Sequence, residues 1–403
     1  MHVVIFADQH VESLGGAQVS TRLQRRFLER AGHTVTIVAP RRHGARARVN
    51  PDDPAYLDLP SIPITPDREY SFTWPGRRAD RVIDVGLAGR PPVDVVHVQA
   101  DFWGAFLGYR FAARHDLPVV HTMHNRVDVG IEATAPFPGL VLRVLNGWRR
   151  LALRGRIGGL ATGVDGWAYL RGLALGARAV TAPSGHFARR LEGHAVFRSV
   201  DVVWNGIDDE ILDRVRASAP AARAAGAPRF VWLGRMSPEK RLLPFLSALA
   251  EAGVECEVEV IGGGAQLAAA QRLVARHGLP VRFAGKLAYD ETLRRIAAAD
   301  ALVQTSIGFE TQGMTPFEAA SLGTPAVISD PDIAAEVGAG VWAVAPADDE
   351  PARVAALAAA LRRAAADIAA CAAPVPDPEM PAKFRQSSRT AAMVEVYRRV
   401  ARA

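Results

Sequence analysis

Cysteine and long apolar runs are both nearly missing from this sequence. Only Cys256 and Cys371 occur among the 403 residues, which excludes a disulfide framework and indicates a reducing compartment. No apolar run is long enough to span a bilayer. Met1 leads directly into the strand-like HVVIFAD, which predicts that there is no signal peptide. We therefore expect a cytoplasmic protein that is at most peripheral on the cytoplasmic face of a membrane.

Lysine is also scarce, with three residues among the 48 Lys and Arg. Residues 1–200 carry 26 Arg, no Lys and 17 acidic residues, a net charge of +9, whereas residues 201–403 have a net charge of −3. This asymmetry favours an anionic partner for the first half, such as a membrane surface, a nucleic acid or an acidic substrate. A general bias towards arginine explains it equally well.

Several chemical signatures are absent. The fingerprint G-x-G-x-x-G is missing, which argues against a nicotinamide oxidoreductase. No His/Cys group has zinc-like spacing, and the Asp-x-Asp at 330–332 lies in a proline turn. The pI near 9.7 suits nucleic-acid binding, but no recognisable nucleic-acid module accompanies it. We expect no metal, no cofactor and no nucleic-acid partner.

The sequence does contain short apolar runs that alternate with helical patterns. These runs predict buried parallel strands, and they lie at 2–8, 34–40, 94–100, 118–124, 177–184, 229–235, 256–264, 281–286, 301–306 and 325–330. Two such series predict two doubly wound α/β domains in tandem. We place the first domain at 1–205, the second at 206–375, and a last helical segment at 376–403 that returns to the first domain.

Ligands of such sheets bind beyond the carboxyl ends of the strands, and charged residues occur there. In GRMSPEKR (234–241), Arg235 and Lys240 follow a predicted strand. They are able to hold two phosphates of a diphosphate, although a solvated basic loop is the alternative. The glycine pair that ends at Gly16 opens a predicted helix, where a backbone can approach an anion. A plain tight turn is equally compatible with that pair.

Three further strand ends carry weaker signals. HTMHN contains His121 and His124, each as readily a structural residue as a group that binds a sugar hydroxyl or a phosphate. The turns IGGGAQL and FAGKL contain Gly263 and Lys286. Backbone groups there could recognise a nucleotide base, but ordinary turns between strand and helix explain both segments.

The stretch FETQGMTPFEAASLGTP (309–325) holds Glu310 and Glu318 with seven residues between them. Thr315 as N-cap and Pro316 at the first helical position would make Glu318 the third helical residue of a capping box. This cap explains the position of Glu318. It explains neither Glu310 nor the glycine-containing turn between the two glutamates.

Taken together, these segments resemble the family 4 retaining glycosyltransferases, whose GT-B fold has two Rossmann-like domains that face a central cleft. The resemblance covers nearly the whole chain through GGAQ, DVVHVQ, HTMHN, VVWNGID, GRMSPEK, FAGKL and the E-x7-E stretch. It is poor between Arg126 and Gly176. Forms of the last motif similar to SETQGLT are typical of diacylglycerol glycosyltransferases, and LPSIPI (59–64) with VHVQADFWGAFLG (96–108) looks like the same lipid branch.

The resemblance implies a role for each matching residue. Arg235 and Lys240 would hold the donor diphosphate, Glu318 would bind the ribose hydroxyls, and Glu310 would contact the donor sugar. His124 would touch the sugar from the first domain, completing the implied catalytic group of His124, Arg235, Lys240 and Glu310. The remaining donor contacts would come from Gly16, Gly263, Lys286, Gly313, Met314 and Thr315.

The implied reaction transfers a hexose, with retention, from a nucleotide-diphosphate sugar to a hydroxyl group. UDP-glucose or UDP-galactose and a lipid such as diacylglycerol or a glycolipid fit the motifs best. GDP-mannose with a phosphatidylinositol-type lipid, or a soluble acceptor, stays open. A glycoside hydrolase would use Glu310 and Glu318 as its carboxylate pair, but it has no need for Arg235 and Lys240.

One segment suggests a membrane contact. Residues 137–159 place Arg143, Arg150 and Arg154 at helical spacing, with Val141, Leu145, Trp148 and Ala152 as an apolar line on another side. A basic amphipathic helix of this kind can lie in an anionic lipid surface. A helix whose apolar line is simply core is the alternative.

Overall fold

The computed structural model describes residues 1–13, 16–43, 53–66, 68–159, 162–218 and 226–402. The chain forms two compact units. The first comprises Met1–Gly206 with Gln386–Ala403, and the second comprises Ile207–Arg385. No helix within the described ranges is both long enough and apolar enough to cross a membrane.

The first unit is built around a parallel sheet. Its strands and a small antiparallel hairpin (β4 and β5) are β1 (His2–Ala7), β2 (Thr34–Pro40), β3 (Tyr56–Leu59), β4 (Ile62–Pro63), β5 (Ser71–Phe72), β6 (Val95–Gln99), β7 (Val119–Thr122), β8 (Ala179–Ala182) and β9 (Val200–Val202). The strand order of the sheet is β3-β2-β1-β6-β7-β8-β9. The central strands are buried over their whole length, as their near-continuous apolar sequences require.

Helices connect these strands and cover the sheet. They are α1 (Gly16–Arg30), α2 (Arg77–Leu87), α3 (Trp103–His115), α4 (Val127–Thr134), α5 (Pro138–Ala152), α6 (Gly166–Ala174) and α7 (Gly185–Gly193). The helix predicted in 137–159 therefore ends at Ala152. Its predicted apolar line faces inward, since Leu145, Trp148 and Ala152 pack in the core of this unit.

The second unit repeats the plan with a six-stranded parallel sheet. Its strands are β10 (Arg229–Arg235), β11 (Glu257–Gly263), β12 (Val281–Gly285), β13 (Ala301–Gln304), β14 (Ala326–Ile328) and β15 (Val341–Ala343), in the order β12-β11-β10-β13-β14-β15. Its helices are α8 (Asp209–Ser218), α9 (Leu242–Ala252), α10 (Leu267–His277), α11 (Tyr289–Ala298), α12 (Met314–Ser321), α13 (Pro331–Val337), α14 (Glu350–Ala369) and α15 (Met380–Phe384). The predicted pair of doubly wound sheets is confirmed.

The last helix, α16 (Gln386–Arg402), belongs to the first unit. Tyr397 is fully buried, and it packs with Met393, Val396 and Val400 in the core on one face of the first sheet. The C-terminal helix and the N-terminal strand β1 thus pack in the same core.

Candidate functional site

Neighbouring strand ends bring three of the predicted residues of the second unit together. All six strands are parallel, so their carboxyl ends meet at one edge of the sheet. Arg235 ends β10 and pairs with Gly263 at the end of β11, while Lys286 directly follows β12. Gly262 permits this close approach, because a Cβ there would lie 2.0 Å from the carbonyl oxygen of Gly234.

Lys240 is held firmly at this edge. It ends a 3-10 turn, Pro238–Lys240, and its ammonium group donates a hydrogen bond to Glu310 Oε1. Ser306 Oγ donates to the same oxygen at 2.9 Å. On the backbone side, Thr305 Oγ1 donates to the Lys240 carbonyl at 2.7 Å. The side chains of Lys240 and Glu310 are 26% and 15% exposed, so the ion pair remains open to a ligand.

Arg235 differs from Lys240 in exposure. Its side chain is 67% exposed and forms an ion pair with Glu239 at 3.1 Å. A solvated guanidinium group can turn towards an arriving anion without losing a buried contact. The unit therefore offers one fixed cation and one mobile cation at the same sheet edge.

The start of α12 differs from the prediction. Gly313 has left-handed backbone angles (φ 69°) and is the N-cap, so the helix begins at Met314 rather than after Thr315. Glu318 then lies in the second turn, and the predicted capping box is wrong. The physical reason is that glycine adopts positive φ at little cost, which lets the helix start two residues earlier. The N-terminal N–H groups of α12 lie in the segment that carries Met314 and Thr315.

Glu318 is a buried carboxyl group. It is 4% exposed and accepts a hydrogen bond from the Tyr289 hydroxyl at 2.7 Å. Burial raises the pKa of Glu318 to about 6, although the Tyr289 hydrogen bond acts in the opposite direction. A buried carboxylate of this kind gains from a further hydroxyl donor.

The loop between β13 and α12 is fastened by Asp330. Its side chain accepts from the backbone N–H of Gly308 at 2.7 Å and caps α13 through Asp332 and Ile333. Asp330, the first carboxylate of the Asp-x-Asp, thus accepts hydrogen bonds from backbone N–H groups. In the part of the chain that the structure describes, no group of three His, Cys, Asp or Glu side chains is placed to hold a metal ion.

The first unit has a cavity of about 390 Å³ at the carboxyl ends of β1, β6 and β7. Gly16 lines it as the first residue of α1, while Gly15 of the predicted glycine pair lies outside the described residues. Other residues of the wall are Asp8, Thr21, Gln99, Trp103, His124 and Asn125.

Two carboxylates support this cavity, and the sequence analysis missed both. Asp8 accepts hydrogen bonds from the backbone N–H groups of Asp101, Phe102 and Gly104, and burial raises its pKa to about 7. Asp101 Oδ2 accepts from three N–H groups of the loop after β7 at 2.7 to 3.1 Å. The signal that could have found them is an aspartate directly after a buried strand, in FAD and VQAD.

The two histidines of HTMHN have different environments. His121 is fully buried, with Nε2 2.8 Å from the Ala100 carbonyl and Nδ1 2.8 Å from the Tyr109 hydroxyl, so it is a structural residue. His124 lines the cavity and is partly exposed. Burial lowers the pKa of His124 below its usual value, which keeps its ring neutral near pH 7.

Each predicted residue therefore has a definite place. The first unit holds Gly16 and His124 at one cavity. The second unit holds the other nine. Eight lie at the carboxyl edge of its sheet, and Glu318 lies one turn deeper in α12; the eight are Arg235, Lys240, Gly263, Lys286, Glu310, Gly313, Met314 and Thr315.

Known proteins match both halves of the chain. The family model for Glycosyltransferase Family 4 matches residues 14–211, and that for Glycosyl transferases group 1 matches residues 227–367. An alpha-monoglucosyldiacylglycerol synthase of Streptococcus pneumoniae is 24% identical over 342 residues, which are 81% of this chain and 70% of that protein.

Solved structures show the same fold. HepE of Anabaena in complex with UDP and glucose has a TM-score of 0.65 at 16% identity, over 99% of this chain and 100% of that one. A sucrose-phosphate synthase of Thermosynechococcus elongatus has a TM-score of 0.64 at 17% identity, over 99% and 98%. At such identities the likeness concerns the fold alone.

Proposed function

Since the chain belongs to glycosyltransferase family 4 and has the GT-B fold, we propose that it transfers a hexose from a nucleotide-diphosphate sugar to a lipid hydroxyl, with retention of configuration. UDP-glucose or UDP-galactose is the favoured donor, and diacylglycerol or a glycolipid is the favoured acceptor. The observation that carries this proposal is the sheet edge of the second unit, where Arg235, the Lys240–Glu310 pair and the start of α12 converge.

Charge at this edge suits a departing diphosphate. Negative charge grows on the diphosphate as the sugar–phosphate bond breaks, and fixed cations at that place lower the barrier. Lys240 supplies the fixed charge and Arg235 the mobile one. The N-terminal N–H groups of α12 add a positive dipole end. We infer that these groups make a divalent metal unnecessary.

The two glutamates receive separate roles. Glu310 accepts a hydrogen bond from the Lys240 ammonium group, and it is proposed to accept a further hydrogen bond from a sugar hydroxyl while it holds Lys240 beside the diphosphate. Glu318 is buried beside Tyr289, and it is proposed to accept hydrogen bonds from the ribose hydroxyls. Neutral His124 is proposed to bind a sugar hydroxyl.

The reaction then needs no protein nucleophile. The acceptor oxygen forms a bond to the anomeric carbon on the face from which the diphosphate departs. The bond between that carbon and the phosphate oxygen breaks, and its electron pair stays on the diphosphate. The acceptor proton passes to a diphosphate oxygen. Configuration is retained because attack and departure occur on one face.

A lipid acceptor is supported by the name of the Streptococcus pneumoniae relative and by the outer face of α5. Phe137, Leu140, Val144 and Leu151 are 61% to 70% exposed, at the spacing of one helix face. The exposed Arg143 flanks this stripe. We therefore propose that this outer stripe contacts the membrane, because the predicted apolar line of Leu145, Trp148 and Ala152 faces the core.

The β4–β5 hairpin segment adds further exposed apolar side chains beside α5. Trp74 is 66% exposed, and its ring lies 5.9 Å from that of Trp148 on α5 and 5.9 Å from that of Phe72. Ile62 and Ile64 of the hairpin segment are 65% and 52% exposed. A groove of about 830 Å³ beside them is lined in part by Arg41, Arg77 and Arg78. Exposed apolar side chains with arginines beside them suit an anionic lipid surface.

A thermal-shift panel of UDP- and GDP-sugars, with and without excess EDTA, tests the donor assignment. We expect UDP-glucose or UDP-galactose to raise the melting temperature equally in both buffers. A shift given by GDP-mannose alone would favour the mannosyltransferase alternative. A shift that needs Mg²⁺ or Mn²⁺ would contradict the metal-independent site, and no shift with any sugar nucleotide would contradict the proposal.

A further inference from the structure

A chain of buried side chains connects the C-terminal helix with His124. It begins at Tyr397 on α16 and passes through Gln24 on α1 to Gln99 at the end of β6. Tyr397 is fully buried, and Gln24 and Gln99 are each 6% exposed. Such a path of polar groups through a core is costly unless every member is hydrogen-bonded.

At the cavity end, the path meets the predicted ligand-binding histidine. His124 Nε2 lies 3.3 Å from Gln99 Oε1, and the Thr21 hydroxyl lies 2.9 Å from the same oxygen. The Gln99 side-chain nitrogen donates in turn to Gln24 Oε1. The Gln99 amide thus holds the imidazole ring of His124, and Gln24 holds the Gln99 amide in turn.

At the other end, the path reaches a second buried histidine. Gln24 Nε2 donates to the Tyr397 hydroxyl at 3.1 Å, and that hydroxyl lies 2.6 Å from His97 Nδ1. His97 Nε2 lies 2.7 Å from the Thr122 hydroxyl. Burial lowers the pKa of His97 well below its usual value, so this ring is neutral and carries one proton.

The bonds of this path share one direction. A neutral imidazole has one N–H, a phenol has one O–H, and an amide presents a donor on one side and an acceptor on the other. With both amide nitrogens donating towards Tyr397, His124 Nε2 must donate to Gln99. His124 Nδ1 then keeps its lone pair as an acceptor for a ligand hydroxyl. Reversal of every bond would move the His124 proton to Nδ1.

We propose that Tyr397, Gln24 and Gln99 are positioning residues that fix the ring orientation and the tautomer of His124. The C-terminal helix, remote in sequence, is thereby a working part of the site in the first unit. The effect on catalysis rests on the proposed function, in which His124 binds a sugar hydroxyl. The effect on the His124 ring does not.

Histidine ¹⁵N spectra of the full chain test the proposal directly, with the His124 signals assigned from His124→Gln. Tyr397→Phe removes the hydroxyl and keeps the ring, and Gln24→Met removes the amide at similar volume. In both variants we expect the separate Nδ1 and Nε2 shifts of His124 to move towards each other as both tautomers become populated. Tyr109→Phe is the matched control, because it removes an equally buried hydroxyl that contacts His121 instead. It should leave the His124 tautomer unchanged.

Steady-state kinetics supply the second measurement. We expect kcat of Tyr397→Phe and Gln24→Met to fall about tenfold or more, because a misplaced site group costs turnover, while KM for the donor changes little. His124 shifts like those of the unmodified protein in both variants would overturn the positioning role, whatever the kinetics. Full transferase activity of His124→Gln would instead contradict the proposed sugar-binding role of His124 and leave the spectroscopic result intact. If Tyr397→Phe does not fold, Gln24→Met decides.

Discussion

At the scale of single residues, we expect the Lys240–Glu310 pair to matter much more for turnover than for stability. A partly exposed ion pair contributes about 1 kcal/mol or less to folding, whereas a lost charge at a departing diphosphate costs about a hundredfold to a thousandfold in kcat. We expect Lys240→Ala to melt close to the unmodified protein and to lose turnover on that scale. Glu310→Gln breaks the same ion pair and keeps the ammonium group, so its melting temperature shows what the pair contributes to folding. Normal turnover of Lys240→Ala would remove Lys240 from the diphosphate site.

Glu318 should give the protein a measurable pH dependence. Its pKa is raised from 4.5 to about 6 in the folded chain, so the carboxyl group stays protonated to a higher pH in the folded state than in the unfolded state. The free energy of unfolding should therefore fall as the pH rises from 4.5 to about 6 and then level off. The difference is on the order of 2 kcal/mol.

Urea denaturation of Glu318→Gln from pH 4 to 8 checks this, because the variant lacks the titrating group. We expect the fall to disappear and donor affinity to weaken about tenfold through the lost ribose contact. Glu395→Gln, at a 69% exposed side chain on α16, should change neither. Donor affinity that survives in Glu318→Gln would make Glu318 a purely structural residue.

The sequence was sufficient to identify candidate site residues at strand ends, but not to predict their burial or their contacts. GRMSPEK and the E-x7-E stretch indicated Arg235, Lys240 and both glutamates. The sequence could not distinguish His121 from His124, because only the fold shows that one meets Tyr109 and the other a cavity. The buried path to Tyr397 could not be predicted either, since it joins residues 373 positions apart.

At the scale of elements, the outer face of α5 carries the membrane contact in our account. Leu140→Glu, Val144→Glu and Leu151→Glu together place charge on the exposed stripe without touching the core. We expect the unmodified protein to sediment with anionic vesicles at low salt and the triple variant to stay in the supernatant. Val375→Glu, at a 78% exposed position of the second unit, is the matched control and should sediment normally. Unmodified protein that remains in the supernatant would favour a soluble acceptor.

Strand prediction succeeded where apolar runs were long and continuous. β2 and β10 match their predictions to the residue, and the other eight predicted strands are present with one to four residues lost at their ends. β3, β9 and β15 were missed because they have three or four residues and carry polar or exposed positions. The start of α12 was misplaced because capping rules weigh Thr and Pro above a left-handed glycine.

For the whole molecule, the fold followed from one regularity, the alternation of buried strand and helix in two series. Right-handed crossover connections leave few alternatives to a doubly wound sheet for such a pattern. The path of α16 was the less obvious part. Its contribution to the first core depends on Met393, Val396, Tyr397 and Val400 meeting the N-terminal strands, a contact that no local pattern reports.

The most direct test of the central claim is one transfer assay with labelled donor. The full chain is incubated with labelled UDP-glucose and vesicles that contain diacylglycerol and anionic lipid, and the products are separated and their anomeric configuration determined by NMR. We predict a labelled glycolipid with the α configuration of the donor, formed only when diacylglycerol is present. Labelled free glucose released at the same rate without any acceptor, or a β-linked product, would contradict the account.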